Sequence, residues 1–250
     1  MNLNENINRI KQMMGILNES SNYAQLNAKA KQFYKTEVPI STDVIEVAKT
    51  WEGGGYNWGG GTGLSIPLMW YNAKTGKEEL LKDKQEQGTY CSGYALQVGY
   101  IVARNRGLVD GKTKEQLVKF INEWYTSNPK TCVTAILNLG IGTEVNLDQS
   151  EQGDFCQLWR TDNSGHNVIL LELLKNKEGE IIGLKYRSTQ TKTNGIGDRI
   201  EYFSGFKGPD EKGKIIAGKV NKNKIFFARL NSGNQKTQDE EGNEDEIVTK

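Results

Sequence analysis

Apolar side chains return at helical spacing in five stretches of the chain. Ile7, Ile10, Met13, Met14 and Leu17 share one face of a short amphipathic helix, and the polar residues 18–22 after it are turn-prone. A helix this short is marginal alone and needs a surface to lie against. Val44, Val47, Ala48 and Trp51 line a second helix, with Thr42 or Asp43 as its cap and Gly53-Gly54-Gly55 as its stop. Tyr94, Ala95, Val98, Ile101 and Val102 predict a third, starting at or just after Cys91 and running to about Arg106. Leu117, Phe120, Ile121 and Trp124 give a fourth from about Lys114 to Tyr125, where Thr113 and Gln116 form a capping-box signature. Asn128-Pro129 ends it, and a fifth covers Cys132 to Leu139, stopped by Gly140.

From residue 153 the pattern changes to strands. Phe155 to Trp159, Asn167 to Leu174, Ile181 to Thr189 and Lys224 to Leu230 are the four segments, with a turn at residues 176–179 between the second and third. Helices followed by an antiparallel sheet predict an α+β domain. The expected organisation is an amphipathic segment at 1–22, a linker at 23–41, the domain at 42–230, and an acidic tail at 231–250. The tail has almost no apolar content before Ile247 and is expected to be disordered.

Composition narrows the classes. Hydrophobic residues are 36% and charged residues 25% of 250, with a formal net charge of +1. That balance gives no broad electrostatic case for nucleic acid or an anionic membrane surface. No apolar run approaches the roughly 20 residues that span a bilayer. The N-terminus lacks the basic and apolar regions of a secretory signal, so action outside a cytoplasm would need another route. Three cysteines make no disulfide framework, and a single histidine makes a structural Cys/His zinc site implausible, so no metal or cofactor is expected.

What remains is one candidate cysteine and one histidine. Cys91, in Tyr90-Cys91-Ser92-Gly93-Tyr94, sits where the free N–H groups and dipole of a helix start favour a thiolate. The same N–H groups can face the oxyanion of a tetrahedral intermediate. Gly93 is expected to leave room for a substrate carbonyl. Cys132 and Cys156 lie on apolar faces and read as structural. His166 follows Asn163-Ser164-Gly165 and opens a strand, within reach of an adjacent helix start. A third group should hold its ring in the productive tautomer. The turn near Lys177 and Glu178 places position 166 opposite 189 or 190, and Ser188 and Gln190 share a face there. Gln190 is the expected partner, with Ser188 as the shorter substitute.

These pieces, in this order, resemble the NlpC/p-sixty family of papain-like cysteine peptidases. The residues that carry the resemblance are Gly53 to Gly55 with Tyr56, Trp58, Gly59 and Gly60, then Cys91-Ser92-Gly93-Tyr94, Gly153-Asp154-Phe155, and Gly165-His166-Asn167-Val168. It covers roughly residues 42 to 195, with a helical insertion near 108–140. It implies a papain-like fold with the central helix starting at Cys91 and packed on an antiparallel sheet. It also implies that Tyr56 helps bind the substrate carbonyl or oxyanion, and that Ser92 and Trp58 face the substrate cleft. The implied substrate is bacterial peptidoglycan, cut at a peptide or amide bond.

The chain departs from the family pattern at two places. Tyr90 stands where an aspartate usually precedes the cysteine, and that acid is associated with binding a free amino terminus. The long segment between Gly60 and Cys91, with Trp70 and Tyr71, is expected to remodel the cleft wall. Residues 1–22, with Leu17-Asn18-Glu19, also resemble the head-targeting leaders of some large tailed phages, which would place the protein in a virion or in the host cytoplasm before release. Alternatives are an effector docked on a secretion apparatus through the same residues, a wall-binding or structural virion protein without turnover, and a transferase or deamidase using the same Cys-His pair.

Overall fold

The computed structural model describes residues 38–126 and 128–233. The expected N-terminal helix with the leader-like Leu17-Asn18-Glu19, most of the linker, and residues 234–250 of the tail lie outside the described residues. Among the described residues, four α-helices and a large antiparallel sheet make the fold α+β.

Helix α1 (Val44–Ala48) is capped by Asp43, whose carboxylate accepts from the Glu46 N–H at 2.8 Å. It stops before Trp51, earlier than the apolar spacing predicts. The Ala48 carbonyl, which a longer helix would need, instead accepts from the Tyr94 hydroxyl (2.6 Å) and from Arg187 Nε (3.1 Å). Side-chain donors from the core thus end the helix, and the chain leaves it through a two-residue strand, β1 (Gly53–Gly54). The packed domain also starts a little earlier than position 42, because Val38 is buried in the core.

Helix α2 (Cys91–Asn105) has twelve of its residues buried, so it is enclosed on nearly all sides. A Cβ at Gly99 would stand 3.0 Å from the Trp124 ring and 3.3 Å from Phe155, so the small residue sets how closely these elements pack. Helix α3 (Lys114–Trp124) carries the complete Thr113–Gln116 capping box, and α4 (Cys132–Leu139) ends at Gly140 with φ +74°. These two helices occupy the expected insertion and pack against each other, with Trp124 edge-on to Phe155.

The seven-stranded sheet runs β1-β8-β7-β6-β5-β11-β4. Its members after β1 are β4 (Gly142–Val145), β5 (Phe155–Arg160), β6 (Gly165–Lys175), β7 (Ile181–Gln190), β8 (Gly195–Tyr202) and β11 (Val220–Leu230). One face, with Phe155, Ile169, Ile196 and Ala228, packs on the helices. The other face, with Cys156, Leu158, Leu170, Tyr186, Phe203 and Phe227, holds a second apolar cluster.

Strands β1, β4 and β8 were not evident from hydrophobic pattern alone. In β8 the alternation is broken by Gly195, Gly197 and charged residues. Gly195 is required because β1 passes so close that a Cβ would meet the Gly53 carbonyl group. The short pair β9 (Lys207–Pro209) and β10 (Ile215–Ala217) completes that region.

The segment between Gly60 and Cys91 contains a hairpin of β2 (Leu68–Asn72) and β3 (Lys77–Lys82). The Tyr100 hydroxyl and Arg104 Nη1 donate to the Met69 carbonyl at 2.8 and 3.0 Å, and Arg104 pairs with Glu78 at 2.9 Å. Those anchors lie nine or more residues along α2 from Cys91, roughly 13 Å at 1.5 Å per residue. The expected remodelling of the cleft wall by Trp70 and Tyr71 is therefore not what the hairpin does: it braces the far end of the central helix. Residues flanking the hairpin, Gly61–Gly63 and Thr89–Tyr90, reach the helix start, and Lys82 at the end of β3 lies over the Tyr125 ring.

Trp124 joins α3 to α2 and β5 and is fully buried. Trp124→Ala is expected to lower unfolding stability by about 3–5 kcal/mol, read as a fall in the urea midpoint; an unchanged midpoint would contradict this packing.

Candidate active site

The site is built where the start of α2 meets one end of the sheet. Cys91 is the first residue of α2 and is only 4% exposed. The preceding residue, Tyr90, is extended (φ −138°, ψ 163°) and makes no side-chain cap bond. The N–H groups of the first turn therefore lack the usual side-chain acceptor, which leaves them for a ligand.

The glycine-rich segment is fastened to this helix start by backbone pairing. Thr89 N–H donates to the Gly55 carbonyl and Asn57 N–H to the Thr89 carbonyl, both at 3.0 Å, so Tyr56 lies beside Thr89. Thr89 Oγ1 is 2.7 Å from Thr189 Oγ1, which ties the same segment to the end of β7. Gly93 serves this packing and not the substrate: a Cβ there would collide with the Thr62 carbonyl oxygen and come within 2.6 Å of Gly63. The expectation that it clears space for a substrate carbonyl is corrected accordingly.

His166 is the second residue of β6, paired with Leu158, and 7% exposed. Its Nε2 lies 2.9 Å from Gln190 Oε1, and its ring stands edge-on to Tyr186 with centroids 5.6 Å apart. The imidazole lies close enough to Cys91 to lower the pKa of its thiol. With Nε2 engaged by Gln190, Nδ1 is the nitrogen left for the thiol. The register Ile169↔Arg187 and Leu170↔Tyr186, continued to the strand ends, brings 166 opposite 190. Ser188, the alternative partner, instead donates to the Asn167 carbonyl at 2.6 Å.

Burial by itself would raise the Cys91 pKa. The charge and hydrogen bond of His166, the Asn167 N–H and the Ser92 hydroxyl outweigh it and bring the thiol down to about 7. The other two cysteines show what burial does without such partners: Cys132 is pushed up to about 12 and Cys156 well above its ordinary value. Cys91 is therefore the thiol poised to ionise near neutral pH.

The remaining expected site residues cluster around it. Ser92 Oγ is 3.9 Å from the Cys91 sulfur. Tyr56 is partly buried, and burial together with the nearby Cys91 charge raises its pKa against the opposing pull of Arg160, keeping its hydroxyl a proton donor at neutral pH. Trp58 is 69% exposed and stands edge-on to Tyr90 at 5.5 Å. Tyr90 in turn donates to the Gly61 carbonyl (2.9 Å) and faces the Tyr125 ring, over which Lys82 sits at 5.0 Å. Position 90 thus contributes an aromatic wall that holds the glycine loop.

Sequence reasoning did not find two groups around His166. Thr131 and Asn167 both hydrogen-bond Gln157 in a buried cluster, with Thr131 held at the left-handed φ of 29°. On the other side lie Tyr186, Glu201 and Arg160. The hint for Tyr186 was the two-residue period, since 186, 188 and 190 share a face. Among the described residues, no three His, Cys, Asp or Glu side chains converge as metal ligands, and no helix is long and apolar enough to cross a membrane.

Iodoacetamide labelling of Cys91 is expected to rise with pH through an inflection near 7, with Cys132 and Cys156 unlabelled in the folded protein; peptide mapping by mass spectrometry reads both. Labelling that begins only above about pH 8.5, as for an unperturbed thiol, would contradict the assignment. Gly93→Ala is expected to displace the glycine loop and lower both the thermal midpoint and this labelling rate. No family model, curated protein or solved structure matches this chain.

Proposed function

We propose that this protein is a cysteine hydrolase with a papain-like arrangement of helix start and sheet, similar to NlpC/p-sixty peptidases, and that it cuts peptide or amide bonds in bacterial peptidoglycan. The observation that carries the reading is the His166–Gln190 contact, 2.9 Å from ring nitrogen to amide oxygen, beside a Cys91 thiol that His166 helps bring down to about 7. The peptidoglycan assignment rests on the family resemblance.

The chemistry follows from the contacts. The Cys91 thiolate attacks the scissile carbonyl carbon while imidazolium His166 waits beside it. The oxyanion is received by the uncapped N–H groups at the start of α2, with the protonated Tyr56 hydroxyl as a further donor. His166 gives its proton to the leaving amine, and a thioester remains on Cys91. Neutral His166 then takes a proton from water, hydroxide adds to the thioester, and the acid product leaves as the thiolate is restored. Gln190 keeps the ring in one orientation throughout, as an acceptor from Nε2–H.

Tyr90 bears on which bonds are cut. A side chain that would pair with a free amino terminus in the related enzymes is here an aromatic, packed between Trp58 and Tyr125. The cleft therefore favours an uncharged stretch of substrate on that side, with the exposed Trp58 face offered to it. Internal bonds of a stem peptide or crossbridge fit this better than trimming next to a free amine. The alternative of a wall-binding protein without turnover is disfavoured by the lowered pKa of Cys91, which a binding surface does not need.

Purified peptidoglycan digested with the protein is expected to release soluble peptides detected by mass spectrometry. Cys91→Ala should abolish release, and His166→Ala should slow it by about 10²–10⁴-fold. Undiminished release by Cys91→Ala would end the proposal. N-acetylated stem peptides are expected to be cleaved at least as well as those with free amino termini, and a strict need for the free amine would overturn the role given to Tyr90.

A further inference from the structure

Gln190 is neutral. It orients His166 but brings no charge to stabilise the imidazolium that faces Cys91, and the third member of such sites is often a carboxylate that does both. Behind Gln190 the structure holds a buried carboxylate one layer further from the thiol. Glu201, 5% exposed, accepts from the Tyr186 hydroxyl at 2.8 Å. That hydroxyl also lies 3.4 Å from Gln190 Oε1, the oxygen that meets His166, and the Tyr186 ring stands edge-on to the imidazole.

Glu201 is fixed from the other side by Arg160, which donates through Nε and Nη2 at 2.8 and 2.7 Å, and by Arg199 at 3.2 Å. Despite burial, these cations and the Tyr186 hydroxyl hold its carboxyl down to about 2, so it stays ionised at every pH where the protein would act. The two guanidinium groups would by themselves oppose a positive charge on His166. Glu201 offsets part of that opposition, and by accepting from the Tyr186 hydroxyl it fixes the ring that stands edge-on to the imidazole.

We propose that Glu201, acting through Tyr186, is a positioning residue that holds the His166 ring and the Gln190 amide in the arrangement that favours the thiolate of Cys91. Neither residue touches the reacting atoms. Tyr186 sets where the ring and the Gln190 amide sit, and Glu201 fixes Tyr186 and balances Arg160 and Arg199. A purely structural ion pair joining β5 and β8 would make the same contacts, but its loss would lower stability without moving the titration of a thiol two side chains away.

The inference rests on the hydrolase reading for its effect on turnover, but its test does not need turnover. Tyr186→Phe keeps the ring against His166 and leaves Glu201 its arginine partners, so the fold should persist. Labelling of Cys91 by iodoacetamide is followed against pH in the full chain. Tyr186→Phe and Glu201→Gln are expected to move the inflection upward from that of the unsubstituted protein, by about half a unit or more, with Glu201→Gln showing the larger shift and Glu201→Asp restoring part of it. If peptidoglycan is hydrolysed, kcat should fall several-fold in Tyr186→Phe with KM nearly unchanged. An upward shift in a protein that releases no peptides would sustain the coupling and remove the hydrolase reading. Folded Tyr186→Phe with an unshifted inflection would overturn the proposal, and it decides the matter alone if Glu201→Gln does not fold.

Discussion

Enclosing a helix on nearly all sides constrains everything around it. α2 is buried from Cys91 to Ala103, so its start cannot simply be open to water as the start of a surface helix is. Its unpaired N–H groups must face either a capping side chain or a place kept for a ligand. Tyr90 provides no cap, and the helix start opens instead toward the end of the sheet where His166 stands. The lowered pKa of Cys91 follows from that placement: the cost of burying a thiolate is offset by His166, the Asn167 N–H and the Ser92 hydroxyl arriving from neighbouring positions.

Holding that geometry takes several fasteners, each distant from the others in sequence. Arg187, buried in β7, donates to the carbonyls of Ala48 and Trp51 and pairs with Glu52 and Asp198, clamping the segment before the glycine loop onto the sheet. The glycine loop is then pinned by Thr89 and pressed against Gly93. The hairpin braces the opposite end of the helix through Tyr100 and Arg104. Loosening any of these would shift the thiol relative to a histidine that belongs to a different layer, and proton transfer tolerates little displacement.

Much of the scaffold was legible beforehand because its signals are local. The Thr113–Gln116 capping box, Gly140 as a helix stop and the four long apolar strands depend on neighbours a few residues away, and the structure has them where the pattern placed them. The 166-to-190 pairing was legible too, because the turn sets a starting register and the two irregularities between β6 and β7 shift it by one residue and back again. Strands β1, β4 and β8 were hidden because two of them are very short and the third is broken by glycines that only a close backbone neighbour explains. The early end of α1 was hidden for the same kind of reason: its last carbonyl is claimed by Tyr94 and Arg187, which are distant in the chain.

By itself, then, the sequence determined the helices and main strands, the thiol that opens the central helix, the one imidazole, and the amide most able to meet it. Those are properties of periodicity, capping and residue chemistry over short separations. The tertiary structure decided what the sequence could not: that Gly93 accommodates the loop backbone, that the hairpin braces the far end of the helix through Met69 and Glu78, and that Tyr90 walls the site with aromatic surface. It also decided that a buried carboxylate at 201 stands behind the histidine. Each of these depends on which distant backbones pass within contact, and on charges brought together by folding, and neither is written in local pattern.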